Sequence, residues 1–175
     1  MDEDYFLIRK MKKGEDIALE VFVRKHYPEI LRYCYRSLNG NSMAEDITQE
    51  TFASFFKNLN RYEHYGKASN YLYTIAGNLC RNHHRHKMEL ALEEIYQVSS
   101  ESEDDINAKQ DMKDALIKLP VDLREILILH YFQDLKLREI AAILEIGLPL
   151  AKYRLARAKE KLKEIVGEED RQWIK

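Results

Sequence analysis

The stretch LAKYRLARAKEKLKEIV, residues 150 to 166, sets Ala151, Leu155, Ala158, Leu162 and Ile165 at intervals of 4, 3, 4 and 3. Residues so spaced share one face of an α-helix, whereas a strand alternates its faces at every residue. The stripe is a core face. The remaining surface, between 152 and 163, carries Lys152, Tyr153, Arg154, Arg157, Lys159, Lys161 and Lys163 against one acid, Glu160. Ahead of it LKLREIAAILEI makes a shorter amphipathic helix with a small residue, Ala141, inside it; Gly147 is expected to close that helix and Pro149 to open the longer one, at a position where its missing N–H is not needed. Short helix, tight turn and basic second helix are the pattern of a helix-turn-helix. A helix roughly 10–12 Å across fits the DNA major groove, where Arg and Lys reach guanine edges and flanking cations meet phosphates. The plainer alternative is a solvated lysine-rich terminal helix, and the EIAAIL turn in front argues against it.

A chain of 175 residues has room for one medium domain or two small ones. With 6 Gly and 3 Pro, and with Leu, Glu, Lys, Ala and Ile abundant, the expected fold is all-α. No apolar run approaches the roughly 20 residues that cross a bilayer. The start, MDEDYFLIRKMKK, has no secretory apolar core, so a cytoplasmic protein is expected. Cys34 and Cys80 lack C-x-x-C spacing and are expected to be buried thiols rather than a disulfide or zinc pair. The net charge of −2 hides a division: residues 91–111 carry 1 Lys/Arg against 7 Asp/Glu, while residues 112–166 carry 11 against 8. A polyanionic partner is therefore compatible with the near-neutral total, because local charge sets the local field.

The acidic strip centred on VSSESEDDINAKQ has little periodicity, so residues 91–110 read as a linker between an N-terminal domain, 1–90, and a C-terminal domain, 111–175. In the first domain a helix over 15–26 brings Ala18, Val21 and Phe22 to one face, and Pro28 suits the first turn of a second helix with Leu31, Cys34 and Leu38 inward. After the turn NGNS, Ser42 and Glu45 form a capping-box pattern. The helix they start, AEDITQETF, sets Asp46, Gln49 and Glu50 side by side. They are either an ordinary solvated face or a docking ridge. Next comes the Tyr- and His-rich loop NRYEHYGKAS, then a long helix from about Ser69 to Lys87 with Leu72, Ile75, Ala76 and Leu79 inward and Tyr71, Thr74, Asn78, Arg81, Asn82 and Arg85 opposite. His83, His84 and His86 are neighbours on one turn without an acidic partner, and no metal or other cofactor is expected.

The two halves together resemble a bacterial RNA polymerase sigma factor of the extracytoplasmic-function group of the sigma-70 family. HYPEILRYCYRSL, AEDITQETF and YLYTIAGNLCRN resemble the family's region 2, in order and spacing; LPVDLREILILHYFQDLKLREIAAIL followed by KYRLARAKEKL resembles region 4. The similarity covers roughly residues 14–88 and 108–166.

The resemblance implies a subunit that binds core RNA polymerase, through its beta prime and beta subunits, and directs it to promoters. Asp46, Gln49 and Glu50 would then meet the clamp helices of beta prime. Tyr62, His64, Tyr65 and Lys67 would form the pocket for a minus-ten base, whose unstacking cost an aromatic site can offset. Asn78, Arg81 and Asn82 would read the adjacent duplex, and RNHHRHK, with Arg85, would follow phosphates. In the minus-thirty-five element the readers would be Lys152, Tyr153, Arg154, Arg157 and Lys159. A cognate anti-sigma factor, often membrane-bound in the family, is implied as a further partner. The acidic linker would pass near the RNA exit path, or serve as a plain tether. Where the family commonly has Phe, Arg and Trp this chain has Ala68, Ser69 and Tyr71, and it has Pro149, Leu150 and Ala151 in place of a Gly-Thr-Val start to the recognition helix. These departures bear on base preference.

No Gly-rich phosphate loop or catalytic triad pattern stands in the sequence, so no enzyme is expected. Two other classes stay open at this point. One is a stand-alone helix-turn-helix regulator with an N-terminal partner-binding domain; the other is a helical interaction protein that binds no DNA.

Overall fold

The computed structural model describes residues 3–39, 42–64, 66–93 and 114–166. All regular structure among them is helical: α1 (Glu3–Met11), α2 (Asp16–Ser37), α3 (Met43–Lys57), α4 (Ala68–Glu93), α5 (Val121–Leu127) running into a π-helical turn (Ile128–Phe132), α6 (Leu137–Ile143) and α7 (Leu148–Val166). A further helical turn spans residues 114–117. The expected linker beyond residue 93 and the tail EEDRQWIK lie outside the described residues. Contacts divide the chain into two compact units, Met1–Cys80 with Ala142–Glu145 and Arg81–Ala141 with Ile146–Lys175, so the division falls inside α4.

Helix α1 was not expected from the sequence. Its acids, Glu3 and Asp4, stand in the first turn and its bases, Arg9 and Lys10, in the last, which complements the helix dipole. Ile8 and Met11 bury its inner face, and it packs on α2. Helix α2 corrects a second expectation. Pro28 lies inside one continuous helix rather than starting a new one. It forfeits the bond its N–H would have made one turn back, a local loss that the packing of α2 on α1 and α3 outweighs. Ala18 and Phe22 are buried as expected, but Val21 is exposed, because the buried line runs through Phe22, His26, Ile30, Tyr33 and Cys34 instead. Ser42 holds the N-cap position of α3 without a side-chain cap bond: its backbone is already helical, which turns the hydroxyl away from the amides it would cap.

The first core is aromatic. Phe22 and Phe55 stack with centroids 5.0 Å apart and planes 10° from parallel, and Tyr33 meets Tyr73 edge-on at 5.3 Å. Burial is the main cause that holds the Tyr73 phenol protonated far above its ordinary range. Cys34 and Cys80 are free and buried.

A charged cluster pins α1 to α2. His26, buried, shares hydrogen bonds with Asp4 through Nε2 at 3.1 Å and with Glu29 through Nδ1 at 2.8 Å. Lys25 Nζ donates to Asp4 at 2.9 Å and to Glu3 at 2.8 Å. Burial pulls the imidazolium pKa down, but the bonds to Glu29 and Asp4 more than reverse this and leave it raised. The imidazolium is therefore bound more tightly by the folded chain than by the unfolded one. Its stabilising contribution is complete below the unfolded value of about 6.5 and is lost as pH rises through the higher folded value. Urea unfolding of the native chain is expected to give a lower midpoint at pH 8.5 than at pH 6, and His26→Leu is expected to flatten that difference while costing about 1–3 kcal/mol at pH 6. Equal pH slopes for the two proteins would remove His26 from this role.

In the second unit α5 packs on α7. Leu123, Ile126, Leu127, Ile128 and Leu129 bury one continuous apolar stretch, met by Ala151, Ala158 and Leu162 of α7. Leu155 and Ile165, expected inward, are half-buried at the edge of that stripe. Arg124 donates to the carbonyls of Ile117 and Leu119 at 2.9 and 3.0 Å, closing the helical turn before α5. Burial lowers the Arg124 pKa. Helix α6 is closed by Glu145 in the left-handed conformation (φ 53) rather than by Gly147. The Ile146 N–H bonds Ala141 O at 3.0 Å and the Glu145 N–H bonds Ala142 O at 3.2 Å, the paired closure of a Schellman turn.

Candidate functional site

Helix α3 turns two kinds of polar residue to opposite sides. Thr48 and Thr51 are fully buried, yet each hydroxyl donates to the carbonyl one turn earlier, Ala44 and Ile47, at 2.7 Å. Satisfied in this way they can share the inner face with Ile47, Phe52 and Phe55. Asp46, Gln49 and Glu50 are consequently all exposed, on one outward ridge.

The loop after α3 carries an aromatic cluster rather than isolated rings. Tyr62 stacks on Tyr71 at 4.9 Å and 26°, both rings lean on Phe55 at 5.3 and 6.1 Å, and the Tyr62 hydroxyl shares a 3.1 Å hydrogen bond with His64 Nδ1. Gly66, at φ 115, lets the chain reverse there in a region of backbone space that other residues avoid. Lys67 is exposed; Tyr65 lies outside the described residues. The sequence reading put Tyr62, His64 and Lys67 together but left Tyr71 and Phe55 out of the site. It also missed α1, whose Tyr5 ring lies 6.3 Å from His64 and after which Lys12 Nζ holds the Tyr62 carbonyl at 2.6 Å.

Along α4, Asn78, Asn82 and Arg85 are exposed at helical spacing, with Arg85 donating to Asn82 Oδ1 at 2.8 Å. Arg81 is less available than expected: its guanidinium pairs with the buried carboxylate of Glu125. On α7 the five expected residues separate into two groups. Lys152 and Tyr153 face outward near the start of the helix, and Arg157 faces outward at its middle, 3.7 Å from Glu160 on the same exposed face. Arg154 lies 3.6 Å from Asp122, and Lys159 sits over the Tyr131 ring at 5.4 Å, so these two are partly engaged within the unit. Among the described residues no group of His, Cys, Asp and Glu is arranged to hold a metal ion, and no helix is long and apolar enough to cross a membrane.

Comparison with known proteins places both halves. The family model for sigma-70 region 2 matches residues 22–89, and that for sigma-70 region 4 matches residues 109–162. The ECF RNA polymerase sigma factor SigW of Bacillus subtilis is 30% identical over 173 residues, covering 89% of this chain and 92% of its own. The chain belongs to the extracytoplasmic-function sigma factors. A second relative, the RNA polymerase sigma factor CarQ of Myxococcus xanthus, is 29% identical over 167 residues, covering 92% of this sigma factor and 96% of CarQ. The fold agrees with two solved structures at 22% identity. The sigma factor RpoE bound to the anti-sigma factor NepR, from Bartonella quintana, gives a TM-score of 0.70 over 84% of this chain and 95% of that one. CnrH in complex with the cytosolic domain of CnrY gives 0.71 over 94% and 97%. The protein is thus an alternative sigma factor that directs promoter-specific transcription initiation, and its two regions hold the outward ridge, the aromatic loop and the basic helix.

Proposed function

We propose a division of labour within this sigma factor. Asp46, Gln49 and Glu50 dock on the clamp helices of beta prime. Tyr62, His64, Tyr65 and Lys67 receive an unpaired minus-ten base, with Asn78, Asn82 and Arg85 on the adjoining duplex; Arg81 joins them only when its pair with Glu125 opens. Lys152, Tyr153 and Arg157 lead the reading of the minus-thirty-five element, and Arg154 and Lys159 position α7. Residues 1–90 carry the first set of tasks, 91–110 the connection and 111–175 the second.

The two-sidedness of α3 is the observation that carries this reading. With its threonines buried, the helix leaves Asp46, Gln49 and Glu50 together on one exposed ridge that a partner can reach, and a polar interface suits a subunit that must later leave. The aromatic loop supplies what a melted base requires, faces to stack on and a shared proton donor and acceptor at Tyr62 and His64. The chemistry of RNA synthesis stays with the polymerase, and the sigma factor works in the cytoplasm as a non-enzymatic subunit. A cognate anti-sigma factor, soluble or tethered to a membrane, would inhibit by covering the α3 ridge or the DNA-facing residues.

Transcription from a randomised promoter library by the reconstituted enzyme tests these roles. Tyr153 stands exposed at the start of α7, so Tyr153→Ser is expected to shift the preferred minus-thirty-five bases while leaving the minus-ten preference alone. Each altered base contact should change discrimination by about 1–3 kcal/mol. An unmoved minus-thirty-five motif would remove Tyr153 from the reading face.

A further inference from the structure

Helix α1 lies outside the region 2 match, which starts at residue 22, and its outer face has the make-up of a single-strand DNA surface. Tyr5 is 36% exposed and Phe6 53%, with rings edge-on at 5.7 Å. Through Tyr5 they continue the row of rings that runs from His64 at 6.3 Å to Tyr62 at a further 6.0 Å and on to Tyr71. One turn along, Arg9 and Lys10 are exposed beside them, followed by exposed Lys13. The acids of the same helix are turned elsewhere: Glu3 and Asp4 are tied to Lys25, and Asp4 also to His26. Among the described ion pairs none involves Arg9, Lys10 or Lys13. Aromatic faces with flanking cations are how proteins hold unpaired nucleotides regardless of sequence, the rings stacking bases and the cations following phosphates.

We propose that Tyr5 and Phe6 form a second stacking site, for an unpaired base of the promoter strand neighbouring the one held by the Tyr62 loop, with Arg9, Lys10 and Lys13 on its phosphates. The proposal rests on the assignment of that loop as a base pocket. Lys12, held on the Tyr62 carbonyl, fixes the spacing between the two sites. Because stacking accepts any base, the second site adds hold on the opened strand without adding sequence preference.

The test uses the holoenzyme and promoter DNA with a preformed bubble, in which 2-aminopurine replaces each unpaired base in turn. The native protein should quench two neighbouring positions. Tyr5→Ala/Phe6→Ala should lose the quench at one of them and retain the bubble about tenfold less tightly. Tyr5→Trp/Phe6→Trp should keep both quenches, and Tyr62→Ala should lose the other one. Phe6 is more than half exposed and Tyr5 meets His64 through its ring, so the alanine variant is expected to stay folded with a small loss in thermal unfolding temperature, which Tyr5→Trp/Phe6→Trp does not share. Quenching of one position alone in the native protein, or of both in the alanine variant, overturns the second site and leaves the loop assignment standing. If Tyr62→Ala changes nothing, the loop assignment falls and the proposal with it. If the alanine variant stops binding core polymerase without DNA, α1 is a protein contact and the proposal is likewise overturned.

Discussion

Phe55→Ala is expected to destabilise the first unit by about 3–5 kcal/mol and, in whatever fraction remains folded, to abolish promoter opening. The ring is fully buried and touches both the helical core and the aromatic cluster above it. It stacks on Phe22 at 5.0 Å within the core and meets Phe56 at 5.6 Å. It also supports Tyr62 of the loop and Tyr71 of α4, the stacked pair at the proposed base site, from below. Removing it leaves a cavity under the loop as well as between the helices. Phe55→Leu separates the two effects, because it keeps most of the apolar volume and loses the flat face. The leucine variant should still bind core polymerase, since Asp46, Gln49 and Glu50 lie on the other side of α3. It should nevertheless show weaker permanganate reactivity of unpaired promoter thymines. Full opening by Phe55→Leu would detach the loop from its aromatic support.

The helices were legible where apolar residues recur at a period the core can use, as in α7, and the outward ridge of α3 was legible because Ile47 and Phe55 define its opposite face. What escaped the sequence had local signals that tertiary packing overrode. Pro28 reads as a helix start, yet burial on both sides of it, at His26 and Ile30, carries α2 straight through. Gly147 reads as the helix stop after α6, but Glu145 takes the left-handed position because the Ile146 N–H can then reach Ala141. Helix α1 escaped because its nine residues bury only three side chains, Asp4, Ile8 and Met11. One of these is an acid whose burial makes sense only once His26 and Lys25 are seen beside it. At the site, pattern reading found the residues of the loop but not their arrangement. The stacking of Tyr62 on Tyr71 joins residues of the loop and of α4, and nothing in either segment alone announces it.

Changing Asp46, Gln49 and Glu50 together to alanine should leave the fold intact and remove binding to core polymerase. All three are exposed, and none of the hydrogen bonds or ion pairs among the described residues uses them, so each substitution should alter stability by no more than about 0.5 kcal/mol. Alanine also favours the helix. The loss falls instead on the interface, where removing a cluster of polar anchors typically costs at least about 2 kcal/mol, or roughly thirtyfold in affinity. Since every residue proposed to face DNA is untouched, any failure of the variant in transcription would trace to docking.

Gel filtration of the purified protein with sigma-free bacterial core polymerase, native chain beside the triple alanine variant, tests this account most directly. Co-elution of the native chain and its loss in the variant, with promoter DNA retained only by the co-eluting complex, is the result expected of a sigma factor that docks through α3. Equal co-elution of the variant would contradict the assignment of the ridge, and a native chain that elutes alone while shifting duplex DNA unaided would contradict the account as a whole.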